Sequence, residues 1–311
     1  MGFDLDALID ACRREGRVAR VVVAEVRGSA PREVGASMLV WANGQSGTIG
    51  GGTLEHELTG AARDLLETGQ DRLTRHALGP DMGQCCGGAV QALTEVYDLA
   101  RAEALPEDVI ARGPGPAPLA VNRITAAARG AGQRPEPQLI DGWMVEPVAR
   151  PTRDIWIWGA GHVGRALVGV LSPLPDVAIT WVDTGADRYP SEVPQGVTQL
   201  PAVDPARLVR RAPAHAEHLI VTYSHALDLE LCHALLGHGF GFAGLIGSAT
   251  KWARFRNRLR DLGHSETQIA RITCPIGAPE LGKHPQIIAI GVAEGLLRLA
   301  QPSQIKSESC A

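Results

Sequence analysis

Apolar positions recur at spacings of three and four at the start of the chain. There Leu5, Leu8, Ile9 and Cys12 predict an amphipathic helix over residues 4 to 15, stopped at Gly16. The period then changes. VARVVVAEV (18 to 26) is a continuous β-branched run, SMLVW (37 to 41) is a second strand, and an Asn-Gly turn in ANGQ leads into a short third strand at GTIGG. The glycine triplet Gly50, Gly51 and Gly52 opens onto TLEHELTGAARDLLETG, a helical period with Thr53 in the N-cap position and Gly69 as its stop. LTRHAL leads to the turn-rich stretch DMGQCCGGAV, and AVQALTEVY returns to strand. Residues 1–104 therefore predict an α+β domain. Between 105 and 150, GPGPAP and RGAGQRPEP interrupt the pattern and predict a connector with two short strands, PLAVNRITAA and GWMVEPV.

From 151 to 311 apolar strands alternate with helical periods. Strand DIWIWG is followed by helix HVGRALVGVL, strand AITWVD by helix DPARLVRRA, strand HLIVTYS by helix ALDLELCHALLGHG, and strand AGLIGS by helix KWARFRNRLRDLG. That alternation specifies parallel strands joined by right-handed crossovers. The predicted fold class is α/β, with a C-terminal Rossmann-like doubly wound parallel sheet and a smaller N-terminal α+β domain.

Composition sharpens this picture. A length of 311 residues with 45% hydrophobic positions suits two cores. The net charge of -4 excludes a general nucleic-acid binder. No apolar run reaches the roughly 18 residues that a membrane helix needs, and the start of the chain lacks a signal-peptide pattern, so a cytoplasmic protein with no membrane partner is expected. The open edge of such a sheet points to a homodimer. Cys12, Cys85, Cys86, Cys232, Cys274 and Cys310 show neither a CxxC nor a zinc-type spacing, and are expected as thiols.

Candidate chemistry gathers in a few segments. Gly159, Gly161 and Gly164 have G-x-G-x-x-G spacing between an apolar strand and a helix, and Asp183 ends the next strand, 24 residues after Gly159. The glycines allow a tight turn and close backbone approach, and the acid could accept from a ribose hydroxyl. The ligand is either NAD(P) or another phosphate-bearing molecule. Gly50, Gly51 and Gly52 form either a plain turn or a second nest of donors. Vicinal Cys85 and Cys86 are unsuited to a mutual disulfide, because their Cα atoms lie about 3.8 Å apart where disulfides prefer about 4.4 to 6.8 Å. One reading makes them small apolar residues under a turn. The other has Gly83, Gly87 and Gly88 clear space for a ligand, Gln84 supply an amide, and a low-pKa thiolate meet a soft metal or carry a persulfide. Glu55, His56 and Glu57 point in different directions on a helix and do not suit a shared metal. His225 and Asp228 follow a strand end, where α/β sheets place ligands, with Ser224 as a helix cap. KWARFRNRLR carries five basic residues, forming either a solvated face or a docking surface for an acidic partner.

Taken in order, GSAPREVGASMLV, GTIGGGTLEHEL, MGQCCGGAV, WGAGHVGRAL, TYSHALDLELC, AGLIGSATKWARFRNRL and CPIGAPELGKHPQIIAIGVAEGLL resemble the xanthine dehydrogenase accessory proteins of the XdhC/CoxI family. The resemblance implies a non-enzymatic molybdenum-cofactor (molybdopterin) chaperone. Such a protein would take the finished cofactor from molybdenum-cofactor biosynthesis proteins, hold it while a cysteine desulfurase replaces an oxo ligand by sulfido, and deliver it to apo xanthine dehydrogenase. It further implies that Cys85 or Cys86 contacts molybdenum and that a glycine nest binds the pterin phosphate. The GAPELGKHPQ segment departs from the family pattern, so no role is carried to Glu280 or Lys283. The alternatives are an NAD(P)-dependent oxidoreductase and a dinucleotide-binding redox sensor.

Overall fold

The structure, a computed structural model, describes residues 2–79 and 87–300. The chain divides into two units, Met1–Arg150 and Pro151–Ala311. In the first, α1 (Leu5–Glu15) precedes β1 (Val18–Arg27), β2 (Ser37–Trp41), β3 (Gly44–Gly47), α2 (Gly52–Thr68), β4 (Arg72–Ala77) and β5 (Ala89–Tyr97). Then come α3 (Leu99–Glu103), β6 (Val109–Arg112), α4 (Leu119–Ala131), β7 (Gln138–Ile140) and β8 (Trp143–Pro147). The strands form an antiparallel sheet of order β3-β2-β1-β5-β4 and a smaller one of order β6-β8-β7.

The continuous apolar run of β1 follows from burial on both faces. Ala19, Val21 and Val23 pack with Leu54, Leu58, Ala62 and Leu65 of α2. On the other face Val18 joins α1, while Val22 and Ala24 meet Met144 of β8. Between these apolar positions Arg20 is buried on the β8 side. Its guanidinium donates to both oxygens of Glu146, at 2.9 and 2.8 Å, and Arg112 bridges Glu146 (2.6 Å) to Glu95 (2.8 Å). The Phe3 ring lies 4.0 Å from the Arg20 guanidinium carbon. Burial alone would raise the pKa of Glu146, but Arg20 and Arg112 together hold it below the usual carboxylate range.

Residues 105–150 were expected as a connector; instead they belong to the first unit. PLAVNRITAA, expected as a strand, is the core of α4, in which Val121, Ile124 and Ala128 recur at helical spacing and pack with Val109 and Val145. GWMVEPV is strand β8. The third strand is GQSG, and the GTIGG segment supplies the turn that follows it. Thr53 does not cap α2, whose N-cap is Gly51 with no side-chain cap of its own.

The second unit contains β9 (Arg153–Trp158), α5 (His162–Leu171), β10 (Val177–Asp183), β11 (Val197–Pro201), β12 (Glu217–Ile220) and α6 (His225–His238). It continues with β13 (Phe242–Leu245), α7 (Ala249–Asp261), α8 (Glu266–Ile269), β14 (Ile272–Thr273) and α9 (Pro285–Ala300). The strands are parallel in the order β11-β10-β9-β12-β13-β14, as in a doubly wound dinucleotide-binding fold. Side chains of β9 alternate between two cores. Trp156 and Trp158 pack with α6 and α7, and Ile155 and Ile157 with α5 and α9. DPARLVRRA is a 3-10 segment rather than an α-helix, and β11 precedes it as an edge strand that the pattern did not announce, its five residues being partly or fully exposed. No described helix is long and apolar enough to cross a membrane.

His218 on β12 is fully buried beside Trp158, whose indole N–H donates to its Nδ1 at 3.2 Å. Burial, aided by His238, pushes its pKa down to about 3.

Two outcomes are expected. Glu146→Gln leaves Arg20 and Arg112 under-compensated in the core and should cost about 3–5 kcal/mol, read as a lower urea midpoint for the first unit. For His218 the folded pKa lies below the unfolded value of about 6.5, so the unfolded chain takes up the proton first. Its contribution is complete above that value and is lost as pH falls towards the folded pKa, with a slope of up to about 1.4 kcal/mol per pH unit. His218→Gln, which keeps an acceptor for Trp158, should show a shallower acid loss in unfolding measured from pH 7 to 4.

Candidate functional site

The strand order of the second unit reverses between β9 and β12, which opens a crevice at their C-terminal ends. Gly159 leaves β9 with φ +118°, and a Cβ there would lie 2.6 Å from the Val221 carbonyl oxygen. A Cβ on Gly164 would lie 1.9 Å from the Gly159 carbonyl oxygen, so glycine lets α5 close onto the loop. Gly161 differs. It is the N-cap of α5, no side chain caps that helix, and a Cβ on it would meet nothing within 4 Å. The start of α5 thus presents backbone donors at an open position, the arrangement that suits a phosphate.

Asp183 does not extend into the crevice. Only 4% exposed, it accepts from the Ala160 N–H (2.5 Å) and from the Thr184 N–H (2.6 Å) and hydroxyl (3.0 Å). The acid expected to meet a ribose hydroxyl therefore braces the glycine loop against β10. Arg188 lies 3.5 Å from Asp183, and its guanidinium carbon is 4.9 Å from the ring of Tyr223, an aromatic side chain that is 69% exposed just beyond β12. The sequence reading passed over Tyr223; its signal was an aromatic residue directly after the strand at the switch point. His162 and His225 are exposed beside these segments. Ser224 caps α6, as its capping alternative held. Asp228 is fully buried, with one oxygen accepting from Thr222 (2.7 Å) and the other 2.6 Å from Lys251 Nζ.

In the first unit a second group of segments comes together. The base of the cysteine loop is closed by Gly87 N–H donating to Leu78 O (2.8 Å) and Leu78 N–H to Gly88 O (2.7 Å). Ser29 bridges to Gly87, and a Cβ on Gly88 would lie 2.2 Å from Ser29 O. Two residues on, Pro31 packs against Gly50, where a Cβ would approach to 2.5 Å. The GSAPREVG segment thus touches both the cysteine-loop base and the glycine triplet. Gly83, Gln84, Cys85 and Cys86 lie outside the described residues.

Gly50, Gly51 and Gly52 all take positive φ, but their turn already holds an anion from the chain itself. One Glu55 oxygen accepts from the Ile49 and Gly51 N–H groups, both at 3.0 Å, and from the Thr48 hydroxyl at 2.5 Å. Gln45 donates to the other at 3.2 Å. Partial burial would raise the Glu55 pKa, yet these donors outweigh it and hold the carboxyl below its usual range, so it is ionised at neutral pH. A cavity of about 230 Å³ lies alongside, lined by Gln45, Gly52, Glu55, His56, Thr59 and Arg63. Glu57 is exposed. Among the described residues, burial pushes the Cys12 and Cys274 thiols up to about 11 and Cys232 higher still, so these three are protonated at neutral pH.

Two family models match this chain: one described as the XdhC Rossmann domain, over residues 155–294, and one as the XdhC and CoxI family, over residues 11–77. The chain belongs to the XdhC and CoxI family. Its Rossmann match spans the crevice from β9 to α9, and its other match spans the GSAPREVG segment and the glycine triplet. A curated relative of this XdhC-family chain is the uncharacterized protein YqeB of Escherichia coli strain K12, 27% identical over 292 residues. That alignment covers 90% of this chain and only 43% of YqeB, so the chain spans less than half of that relative's length. A crystal structure described as a xanthine dehydrogenase from Bacillus halodurans superposes with a TM-score of 0.72 at 19% identity, over 99% of this chain and 98% of that one, and shows a shared fold.

The glycines of this XdhC Rossmann domain should separate under mutation. Gly164→Ala forces a Cβ into the Gly159 carbonyl and should cost about 1–3 kcal/mol, whereas Gly161→Ala should leave the thermal midpoint nearly unchanged. Differential scanning calorimetry of the two variants reads the difference.

Proposed function

We propose that this XdhC-family protein serves xanthine dehydrogenase maturation by binding the finished molybdenum cofactor as cargo. In this reading it holds the cofactor while a cysteine desulfurase exchanges a terminal oxo ligand for sulfido, then passes it to the apo enzyme. Family membership supports the maturation role. The observation that carries the finer reading is the meeting of the cysteine-loop base and the glycine triplet on either side of Ser29 and Pro31. That meeting gives the QCCGG segment a fixed base beside backbone stripped of side chains, which suits a bulky ligand. Among the described residues Cys12, Cys232 and Cys274 are protonated thiols kept in or near the cores, which suits none of them to a thiolate contact. Of the remaining cysteines, Cys85, Cys86 and Cys310, this reading gives the contact to Cys85 or Cys86, the pair in the QCCGG motif that carries the family resemblance. For the pterin phosphate the Gly50–Gly52 turn, in the same unit as the cysteine loop, is open only where the phosphate displaces Glu55; the uncapped start of α5 lies in the second unit and supports a different ligand.

A second reading, NAD(P) in the crevice, is favoured by the same uncapped helix in a 3-2-1-4-5-6 sheet. It loses support from Asp183, both of whose oxygens are engaged within the protein.

The deciding experiment incubates apo protein with molybdenum cofactor, removes free ligand by gel filtration and measures molybdenum and pterin per chain. The parent should retain close to one equivalent, and Cys85→Ala or Cys86→Ala should retain clearly less. Full retention by both variants would overturn the thiol assignment, and no retention by the parent would overturn the chaperone reading. Saturable NADPH binding with turnover would replace it by the oxidoreductase.

A further inference from the structure

Helix α7 concentrates positive charge that the fold compensates only in part. Its thirteen residues carry Lys251, Arg254, Arg256, Arg258 and Arg260 against one acid, Asp261, in a chain of net charge -4. The helix is pinned from its apolar side, where Phe255 and Leu259 are buried with the α6 core. Lys251 turns inward to Asp228 and to the Ile246 carbonyl oxygen, 2.6 and 2.9 Å away. Arg260 is paired with Glu266 and donates to Asn257. Arg254, Arg256 and Arg258 are exposed, and among the described residues none of them meets an acid.

The bland explanations do not cover this set. Cations in the last turn of a helix are favoured by its dipole, which accounts for Arg258 and Arg260 but not for Arg254 or Arg256. Arg254 and Arg258 stand one turn apart, as do Arg256 and Arg260, and like charges at that spacing repel. A solvated face is served better by mixed signs, since alternating charges add pairing where these add repulsion.

We infer that α7 is a docking surface for an acidic protein face. Protein is favoured over nucleic acid on three counts: the chain is negative overall, Asp261 and Glu266 stand at the end of the helix, and Leu262 is 50% exposed beside the arginines. Arginine next to exposed apolar surface is the composition of protein interfaces, whereas a polyphosphate backbone needs basic excess without acids at its border. Arginine also grips carboxylates in pairs, which lysine does not. If the maturation reading above is correct, the partner that brings this acidic face is apo xanthine dehydrogenase.

The test uses the full chain and the triple variant R254E/R256E/R258E, with R254Q/R256Q/R258Q as a milder form should charge reversal disturb folding. Three probes are titrated at low and high salt: poly-L-glutamate, a duplex DNA oligonucleotide and apo xanthine dehydrogenase. The parent should bind poly-L-glutamate and the apo enzyme, more weakly as salt rises, and the variants should lose about tenfold or more in affinity for both. Cofactor retention should be the same in all three proteins. Equal binding by parent and variants, or no binding of poly-L-glutamate by the parent, would overturn the docking surface. Tighter, arginine-dependent binding of DNA than of poly-L-glutamate would overturn it in favour of nucleic acid. Arginine-dependent binding of poly-L-glutamate without any binding of the apo enzyme would uphold the surface and refute the maturation partner.

Discussion

The short contact between the Asp183 carboxylate and the Ala160 N–H holds the second unit's glycine loop in its working shape. A carboxylate at 4% exposure must find donors, because an ionised group withdrawn from water without them is strongly unfavourable. Asp183 finds them in the loop beside it and in Thr184, so its own desolvation is offset by fixing where Gly159 and Gly161 stand. Gly159 can then lie against the Val221 carbonyl, Gly164 against Gly159, and the first donors of α5 are left facing outward. Remove the carboxylate and the Ala160 donor loses its partner and the loop its fixed point.

The same chemistry recurs elsewhere with different consequences. Asp228 is buried between Thr222 and Lys251, and through them it joins the turn after β12 to the first turn of α7. Glu55 fills the donors of the Gly50–Gly52 turn. Glu146 is shared by Arg20 and Arg112 and ties the larger sheet of the first unit to the smaller one. Each carboxylate organises backbone or sheet contacts that apolar packing alone would leave free to slide, since packing is non-directional whereas a bidentate or multi-donor contact fixes position.

Much of this was legible in the sequence because it rests on periodicity. The β-branched run of β1, the strand–helix alternation after Asp154 and the G-x-G-x-x-G spacing each encode local geometry in residue order, and apart from the 3-10 segment at DPARLVRRA and the added strand β11 the elements stand where that order put them. What escaped the reading depended on partners distant in sequence. The segment 105–150 looked like a linker because prolines and glycines punctuate it, yet Val109, Val121 and Val145 share a core that no local window displays. Strand β11 is an exposed edge and carries no apolar alternation to betray it. In residue order Asp183 admits two roles. Its position at a strand end fits both a ligand acceptor and a loop brace, and only its burial and donors separate the two.

Glu55 is the most instructive of these cases, since a glycine triplet before a helix reads equally as a turn and as an anion nest. The nest is real in geometry, with converging Ile49 and Gly51 donors, but the anion comes from one turn along α2 itself. An external phosphate there must break a contact made by two N–H groups and a hydroxyl to an ionised carboxylate, and must tolerate the displaced charge nearby. Its affinity is lowered by the whole free energy of that internal contact. At Gly161 no such competitor stands, because the acid that could have reached the start of α5 is already committed to Ala160. The asymmetry between two glycine nests that look alike in the sequence is therefore set by where two carboxylates point, one into its nest and the other behind it.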